Sequence, residues 1–169
     1  PEKVKGEGAA EEIARGIEEL DRREDIEVII VGRGGGSAQI KSMKKISGTL
    51  KLDQAQYREL EAFAKFGSDL DAATKAVIDK GVRNVEILKQ GQYSPLRVEE
   101  QAAIIYCGTN GLLMDVPANK VKAFETEFLS FMHQKHQDVL DALAAGKLTD
   151  EIKKTIETVA ADLSKKYAA

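Results

Sequence analysis

Apolar spacing changes character along the sequence, and the first 31 residues combine strand-like and helix-like patterns. Residues 3–5 form a short candidate strand, and Ile13, Ile17 and Leu20 then follow at helical spacing. Residues 26–31 are almost continuously apolar and β-branched, which is typical of a strand covered on both faces. Because one crossover helix joins the two runs, the pattern predicts a βαβ unit with parallel strands.

Beyond residue 37 the apolar positions follow helical spacing to the last residues. A loop at Gly91–Arg97, a turn at Gly108–Gly111 and a candidate helix start at Pro117 divide this part. The predicted helices cover residues 37–50, 52–66, 70–90, 98–108, 118–143 and 150–167. The expected fold class is α/β but helix-dominated, with a βαβ unit over 1–37 followed by a bundle of about six helices over 38–169.

Two of these predictions concern faces and edges. The helix over 70–90 is expected to bury a broad apolar face, made of Ala73, Val77, Val82, Val85 and Leu88. Two parallel strands do not make a stable sheet alone, so the run at Ile26–Val31 would leave an apolar edge. This edge predicts self-association as a homo-oligomer.

Composition is that of an ordinary globular protein. The sequence is 43% hydrophobic and 31% charged with a net charge of −3, so no global attraction to nucleic acid is expected. One cysteine excludes an internal disulfide, and one cysteine with two histidines is too few for a Cys/His zinc site. No apolar stretch approaches the roughly 20 residues of a membrane helix. We therefore expect a cytoplasmic protein with no membrane partner, no metal and no cofactor.

The best candidate for chemistry is a glycine-rich loop before a predicted helix. Gly34, Gly35, Gly36 and Ser37 follow Arg33, and such a loop can direct backbone N–H groups toward an anion. Arg33 would add a bidentate clamp on phosphate. No Gly-Lys-Ser/Thr sequence follows, so the Walker pattern is absent. Two interpretations stay open: a flexible connector, which we favour, or a phosphate or nucleotide site at Gly32–Ser37.

Other candidates have simpler interpretations. His133 and His136 lie three apart on a predicted helix, where a solvated face is favoured over a shared metal. Cys107 lies among apolar residues and is predicted to be a small core residue. The lysine-rich stretch Lys41–Lys51 has no interleaved aromatic residues, which argues against nucleic-acid binding. Ser68–Asp71 is predicted to provide an N-cap and an acidic first turn.

Two segments near the N-terminus resemble the large subunit of exodeoxyribonuclease VII. They are Val4–Ala14 and Asp25–Ser37, in the order and at the spacing of that family. The family continues with an acidic Glu-Asp-Leu and an aromatic segment, whereas the present sequence continues with Ala38-Gln39-Ile40-Lys41. The resemblance implies a truncated nuclease fold, with residual exodeoxyribonuclease activity only as an alternative.

The remainder resembles the C-terminal helical domain of the rotary ATP synthase alpha subunit over about 130 residues. The matching runs are Gly36–Lys45, Gly48–Asp53, Ala55–Phe63, Phe66–Thr74, Leu88–Leu96, Val98–Gln101 and Ile105–Gly111. In both families a strand is followed by an arginine, glycines and a serine, and the two resemblances meet at such a sequence near residues 33–39. They imply a chimera with no autonomous activity, and engineering at a shared local shape is favoured over a natural fusion. Its larger part would be a non-catalytic subunit-contact module.

The second resemblance also implies roles for single residues. Arg33 matches the arginine finger that reaches from alpha into the catalytic site of the beta subunit, which is the implied parental partner. Gln90 and Gln92 match positions that contact adenine at alpha's non-catalytic nucleotide site. Ser68–Asp71 matches a helix turn near the rotor. No catalytic residue is expected.

Overall fold

The computed structural model describes residues 39–64, 70–91 and 94–167. Within them lie six α-helices, one short 3-10 helix and no strand. The helices are α1 (Lys41–Ala64), α2 (Ala72–Leu88), α3 (Val98–Thr109), the 3-10 helix η1 (Ala118–Lys120), α4 (Val121–Lys135), α5 (Gln137–Ala144) and α6 (Asp150–Ser164). The βαβ unit predicted over 1–37, with its strand edge, lies outside the described residues, as do Ser68 and Asp69 of the Ser68–Asp71 turn.

Helix α1 corrects the prediction of two helices that meet at Lys51. Its buried residues Met43, Ile46, Leu50 and Tyr57 follow one helical face across the predicted break. Nothing in this stretch forces an end, because Gly48 is tolerated within a helix and no proline occurs. The two predicted segments therefore form one helix of 24 residues.

Helix α2 has a side-chain N-cap as predicted, but it begins at Ala72 instead of Leu70, its first turn holds no acidic residue, and it buries a different face. Asp71 is its N-cap, and the Asp71 carboxylate accepts the backbone N–H of Thr74 at 2.9 Å. The fully buried residues are Gly81, Asn84 and Ile87. The predicted apolar face is wrong in part, because Ala73 is exposed and Val77, Val82, Val85 and Leu88 are only half-buried. Tertiary packing selected a face that contains a glycine and an asparagine.

Helix α3 occupies the centre of the described unit. All eight residues from Ala102 to Thr109 are buried, and the helix contacts each of the other five α-helices. A helix that is apolar on all sides is expected in such a position. Cys107 is fully buried within it, which confirms its prediction as a core residue.

Two glycines allow the first three helices to approach closely. A Cβ added at Gly81 would lie 2.5 Å from Tyr57 Cβ on α1 and closer still to its ring. A Cβ added at Gly108 would lie 2.6 Å from Ile87 Cδ1 on α2 and closer to the Asn84 amide oxygen. Gly108 was predicted to end the helix and to begin the turn, and in the structure it is a buried helical residue. The turn follows at Gly111, where φ is +70°.

The helix predicted over 118–143 is divided in the structure. His136, with φ −137° and ψ 42°, interrupts it between α4 and α5. The change of direction lets α5 contact both α3 and α4. A straight helix over the predicted range would be about 39 Å long, and its C-terminal part would extend away from the core. Two predicted helices form one helix, and one predicted helix is divided into two, so the predicted count of about six helices is unchanged.

The glycine contacts predict opposite effects of the same substitution. Gly81→Ala and Gly108→Ala should each lower the free energy of unfolding by about 1–3 kcal/mol, because the added methyl overpacks a helix crossing. Gly48→Ala is the matched control within α1, where a Cβ would meet nothing within 4 Å. That variant should gain roughly 0.5–1 kcal/mol from helix propensity. Urea unfolding of the three variants measures this, and equal effects at all three positions would contradict the packing described.

Candidate functional site

The loop between α2 and α3 contains the one predicted ligand contact that the described residues include. Gln90 lies at the start of this loop, which runs from Lys89 to Arg97. The Leu96 N–H donates to Gln90 Oε1 at 3.3 Å, and Gln101 Nε2 donates to the Leu96 carbonyl oxygen at 2.7 Å. Two glutamine side chains thus hold the end of the loop through one residue.

The structure places only part of the predicted site. Gln90 is exposed, and its amide oxygen serves the loop itself. Gln92 and the glycine-rich loop, which comprises Arg33, Gly34, Gly35, Gly36 and Ser37, lie outside the described residues. The phosphate contact, the arginine-finger position and the pairing of Gln90 with Gln92 therefore stay predictions.

A lysine on α4 holds the C-terminal end of α2. Lys122 Nζ donates to the Lys89 carbonyl oxygen and to Glu125 Oε1, the latter at 2.8 Å. The second Glu125 oxygen has no hydrogen-bond partner among the described residues, and the side chain is almost fully buried. Burial raises the pKa of Glu125, while Lys122 opposes that rise. This lysine and glutamate fix α4 against the start of the loop.

Glu100 links the other end of the loop to α4. The Arg97 N–H donates to Glu100 Oε2 at 2.6 Å, which satisfies a free backbone donor at the start of α3. Glu100 Oε1 lies 2.7 Å from His133 Nε2. Burial acts to raise the pKa of Glu100, but the His133 and Arg97 hydrogen bonds outweigh it, and the pKa is lowered. One carboxylate thereby joins a helix cap to a neighbouring helix.

The hydrogen bonds around His133 favour its charged form. Its Nδ1 lies 3.0 Å from Gln137 Oε1, and Gln137 Nε2 donates to Asp141 Oδ1 at 2.9 Å. Because the Gln137 amide N–H₂ is directed toward Asp141, its oxygen faces the histidine. Both imidazole nitrogens therefore face oxygen atoms, and this arrangement favours the imidazolium form, in which both nitrogens donate. The Glu100 and Gln137 hydrogen bonds accordingly raise the pKa of His133.

These contacts correct the prediction of a solvated histidine face. His133 joins α3, α4 and the start of α5, and His136 forms the interruption between the last two helices. The separation of Glu100 and His133 by 33 residues hid the pair from sequence reasoning. A signal was present in Glu100 itself, three residues after Arg97, where a glutamate commonly caps a helix.

Two titratable side chains of α3 are buried in the core. Burial raises the pKa of the Cys107 thiol far above its usual range, which makes the thiol unreactive at neutral pH. Burial and a 2.7 Å hydrogen bond to Glu157 likewise raise the pKa of Tyr106. Among the residues that the structure describes, no three His, Cys, Asp or Glu side chains gather as a metal site would require. Nor does any helix in this part combine the length and apolarity needed to cross a bilayer.

Comparison with known proteins gives a consistent match over the helical part. Residues 39–163 match the family described as ATP synthase alpha/beta chain, C terminal domain. An ATP synthase subunit alpha from Christiangramia forsetii is 66% identical over 139 residues, which cover 82% of the present sequence and 26% of that relative. One from Flavobacterium johnsoniae is 64% identical over 139 residues, with the same coverage of 82% and 26%. A third, from Phocaeicola vulgatus, is 57% identical over 140 residues, which again cover 82% of the present sequence and 26% of that relative.

The histidine bridge predicts a direct spectroscopic result. By NMR titration, the His133 imidazole should titrate above the ordinary value of 6.5, since both its hydrogen bonds favour the cation. Glu100→Gln should lower this pKa toward the ordinary value. Glu99→Gln is the matched control, because it removes a neighbouring carboxylate on the same turn that lies outside the bridge. An unchanged His133 pKa in Glu100→Gln would contradict the geometry.

The same pair predicts how stability depends on pH. The raised pKa of His133 stabilises the fold fully below pH 6.5, and this contribution disappears as pH rises through the folded-state pKa. The lowered pKa of Glu100 stabilises it fully above pH 4.5, and this contribution disappears as pH falls. Wild type should therefore exceed Glu100→Gln most between these values, by roughly 0.2–1 kcal/mol for a partly exposed pair. Urea unfolding across this pH range measures the difference, and a pH-independent difference would contradict the assignment.

Proposed function

The protein belongs to the family of C-terminal domains of ATP synthase alpha and beta subunits, and on that premise we propose that residues 39–169 act as a non-catalytic contact module between subunits. The alpha-subunit relatives share 66% and 64% of the aligned residues, which favours alpha as the type. The sequence spans about a quarter of the length of these curated relatives. Any activity or partner that a whole ATP synthase subunit has is therefore only proposed for the present protein.

The observation that carries this proposal is the internal use of polar groups around the loop. The Gln90 amide oxygen, the Glu100 carboxylate and the Lys122 ammonium all bind groups of the same unit. Such contacts hold α2, α3 and α4 in a fixed arrangement. A unit of this kind is suited to presenting a surface to a neighbour, and the proposed neighbour is the beta subunit.

For the N-terminal part, we propose a chimera. Residues 1–38 precede the family match, and their motifs resemble exodeoxyribonuclease VII. An engineered junction near Arg33–Ser37 accounts for both resemblances, because each parent places an arginine, glycines and a serine between a strand and a helix. In this proposal the protein has no catalytic activity of its own. A phosphate site at Arg33–Ser37 is the second candidate, and the glycine-rich sequence supports it.

The contact proposal is tested with an isolated beta subunit from a close relative, such as Flavobacterium johnsoniae. Sedimentation velocity should show a complex that forms only at high protein concentration, because a small part of the interface between the subunits is present. The complex should weaken as salt increases, because salt screens contacts between charged groups. Protein that has been unfolded by heat and rapidly cooled serves as the negative control. Absence of a complex at the highest attainable concentration would overturn the proposal.

The proposed lack of activity is tested on the two alternative functions. Incubation with single-stranded DNA should give no cleavage, and calorimetric titration with ATP or sulfate should give no heat of binding. Reproducible cleavage that Arg33→Ala abolishes would establish the nuclease alternative. Heat of binding lost in Arg33→Ala, but retained in Arg97→Ala as a matched loop arginine, would establish the phosphate site instead.

A further inference from the structure

The exposed side of α1 carries a basic surface that internal contacts do not use. Residues 41–52 contain four lysines and no acidic residue. These side chains are Lys41, Lys44, Lys45 and Lys51, and all four are exposed. We refer to them together with Leu52 as the lysine face.

The helical geometry gathers these residues on one side. Lys41, Lys44 and Lys45 stand at i, i+3 and i+4, Lys51 lies two turns beyond Lys44, and Leu52 lies three turns beyond Lys41. The face therefore extends over about 16 Å of helix. Its orientation is fixed because the opposite side is buried, where the Ser42 hydroxyl donates to the Leu143 carbonyl oxygen at 2.8 Å.

The lysines of this face lack carboxylate partners within the described part of the protein. Several lysines elsewhere are paired, as Lys80 is with Asp53 at 2.8 Å. None of the four makes an ion pair with any described residue. Leu52 adds a large apolar side chain that is 73% exposed at one end of the stripe. Unpaired charge beside exposed apolar surface is a combination typical of interfaces.

The loop before α6 extends this basic surface. Gly146 packs on the start of α1, where an added Cβ would lie 3.2 Å from the Lys41 backbone nitrogen. The next residue, Lys147, is also exposed and has no ion pair within the described ranges. A fifth exposed lysine thus follows directly after the residue that contacts the N-terminal end of α1.

We propose that the lysine face docks an acidic α-helix of a protein partner, with glutamates or aspartates at i, i+3 and i+4 and an apolar residue that covers Leu52. Regular helical spacing of the lysines matches a partner with the same period better than it matches an irregular segment. The exposed leucine and the absence of exposed aromatic side chains on this face favour a protein over a nucleic acid. This inference rests on the proposed contact function, which makes the partner a protein. It adds which surface of the present protein makes the contact and which side chains the partner contributes.

The test uses the protein of 169 residues and two synthetic helical peptides of equal composition. One places its glutamates and a leucine on a single face, and the other distributes them around the helix. Fluorescence anisotropy should show that the one-faced peptide binds more tightly, and that its binding weakens as salt increases. Replacing the four lysines together by glutamine (K41Q, K44Q, K45Q and K51Q) should weaken binding about tenfold or more. The matched control replaces four other exposed lysines that lack ion pairs (K75Q, K120Q, K135Q and K154Q) and should retain binding within about twofold.

Each other outcome overturns the inference. Equal loss in the two quadruple variants would show attraction by net charge alone, and equal binding of the two peptides would remove the helical partner. Tighter binding to double-stranded DNA or to phosphatidylserine vesicles would assign the face to phosphate groups. Self-association that the α1 variant abolishes would assign it to a second copy of the protein.

The binding of the beta subunit separates this inference from the proposed function. If the protein binds beta equally well with and without its α1 lysines, and does not bind the one-faced peptide, the contact function stands and the lysine face is wrong. If beta does not bind but the peptide result holds, the lysine face stands and its partner is another acidic protein. Circular dichroism of both quadruple variants verifies that their helices are intact.

Discussion

Burial of α3 is the constraint on which the rest of the described unit depends. Because Ala102–Thr109 is buried on all sides, every other α-helix must supply a surface that fits it. At Gly108 the fit is close enough that α2 approaches with Asn84 and Ile87, and at Gly81 α2 in turn admits Tyr57 of α1. Interiors packed at this density do not accommodate an added methyl group without displacement. The close contact among α1, α2 and α3 therefore depends on the lack of a side chain at Gly81 and Gly108.

Polar contacts are placed around this apolar centre. At the N-terminal end of α3, Glu100 joins the helix cap to His133, and farther along Tyr106 hydrogen-bonds to Glu157. Partly buried groups of this kind cost free energy unless they are paired, so their value lies in fixing one arrangement of helices. Lys122 does the same at the end of α2. The loop between α2 and α3 thus has a fixed entry and a fixed exit. The described arrangement leaves the lysines at the start of α1 exposed at the surface.

Sequence patterns predicted some of these features well. The bounds of α3 were within one residue, Asp71 served the start of α2, and Cys107 was in the core, because local spacing and cap chemistry act over a few residues. The count of helices agreed although two boundaries were wrong. Local propensity does not reveal that α1 continues through Lys51 or that the backbone bends at His136, since both depend on where the core lies. The glycine-rich loop and the βαβ unit stay predictions.

The sequence by itself determined that the described part is helical, and it carried the family resemblance that the match over 39–163 confirms. Only the tertiary structure decided which faces are buried and which charges pair. Asn84 and Gly81 lie in the core because α3 and α1 approach there, and the pKa of His133 is raised because Glu100 reaches it from 33 residues away. The physical reason is range. Helix periodicity is a property of neighbours along the sequence, whereas protonation and close packing are set by neighbours in space.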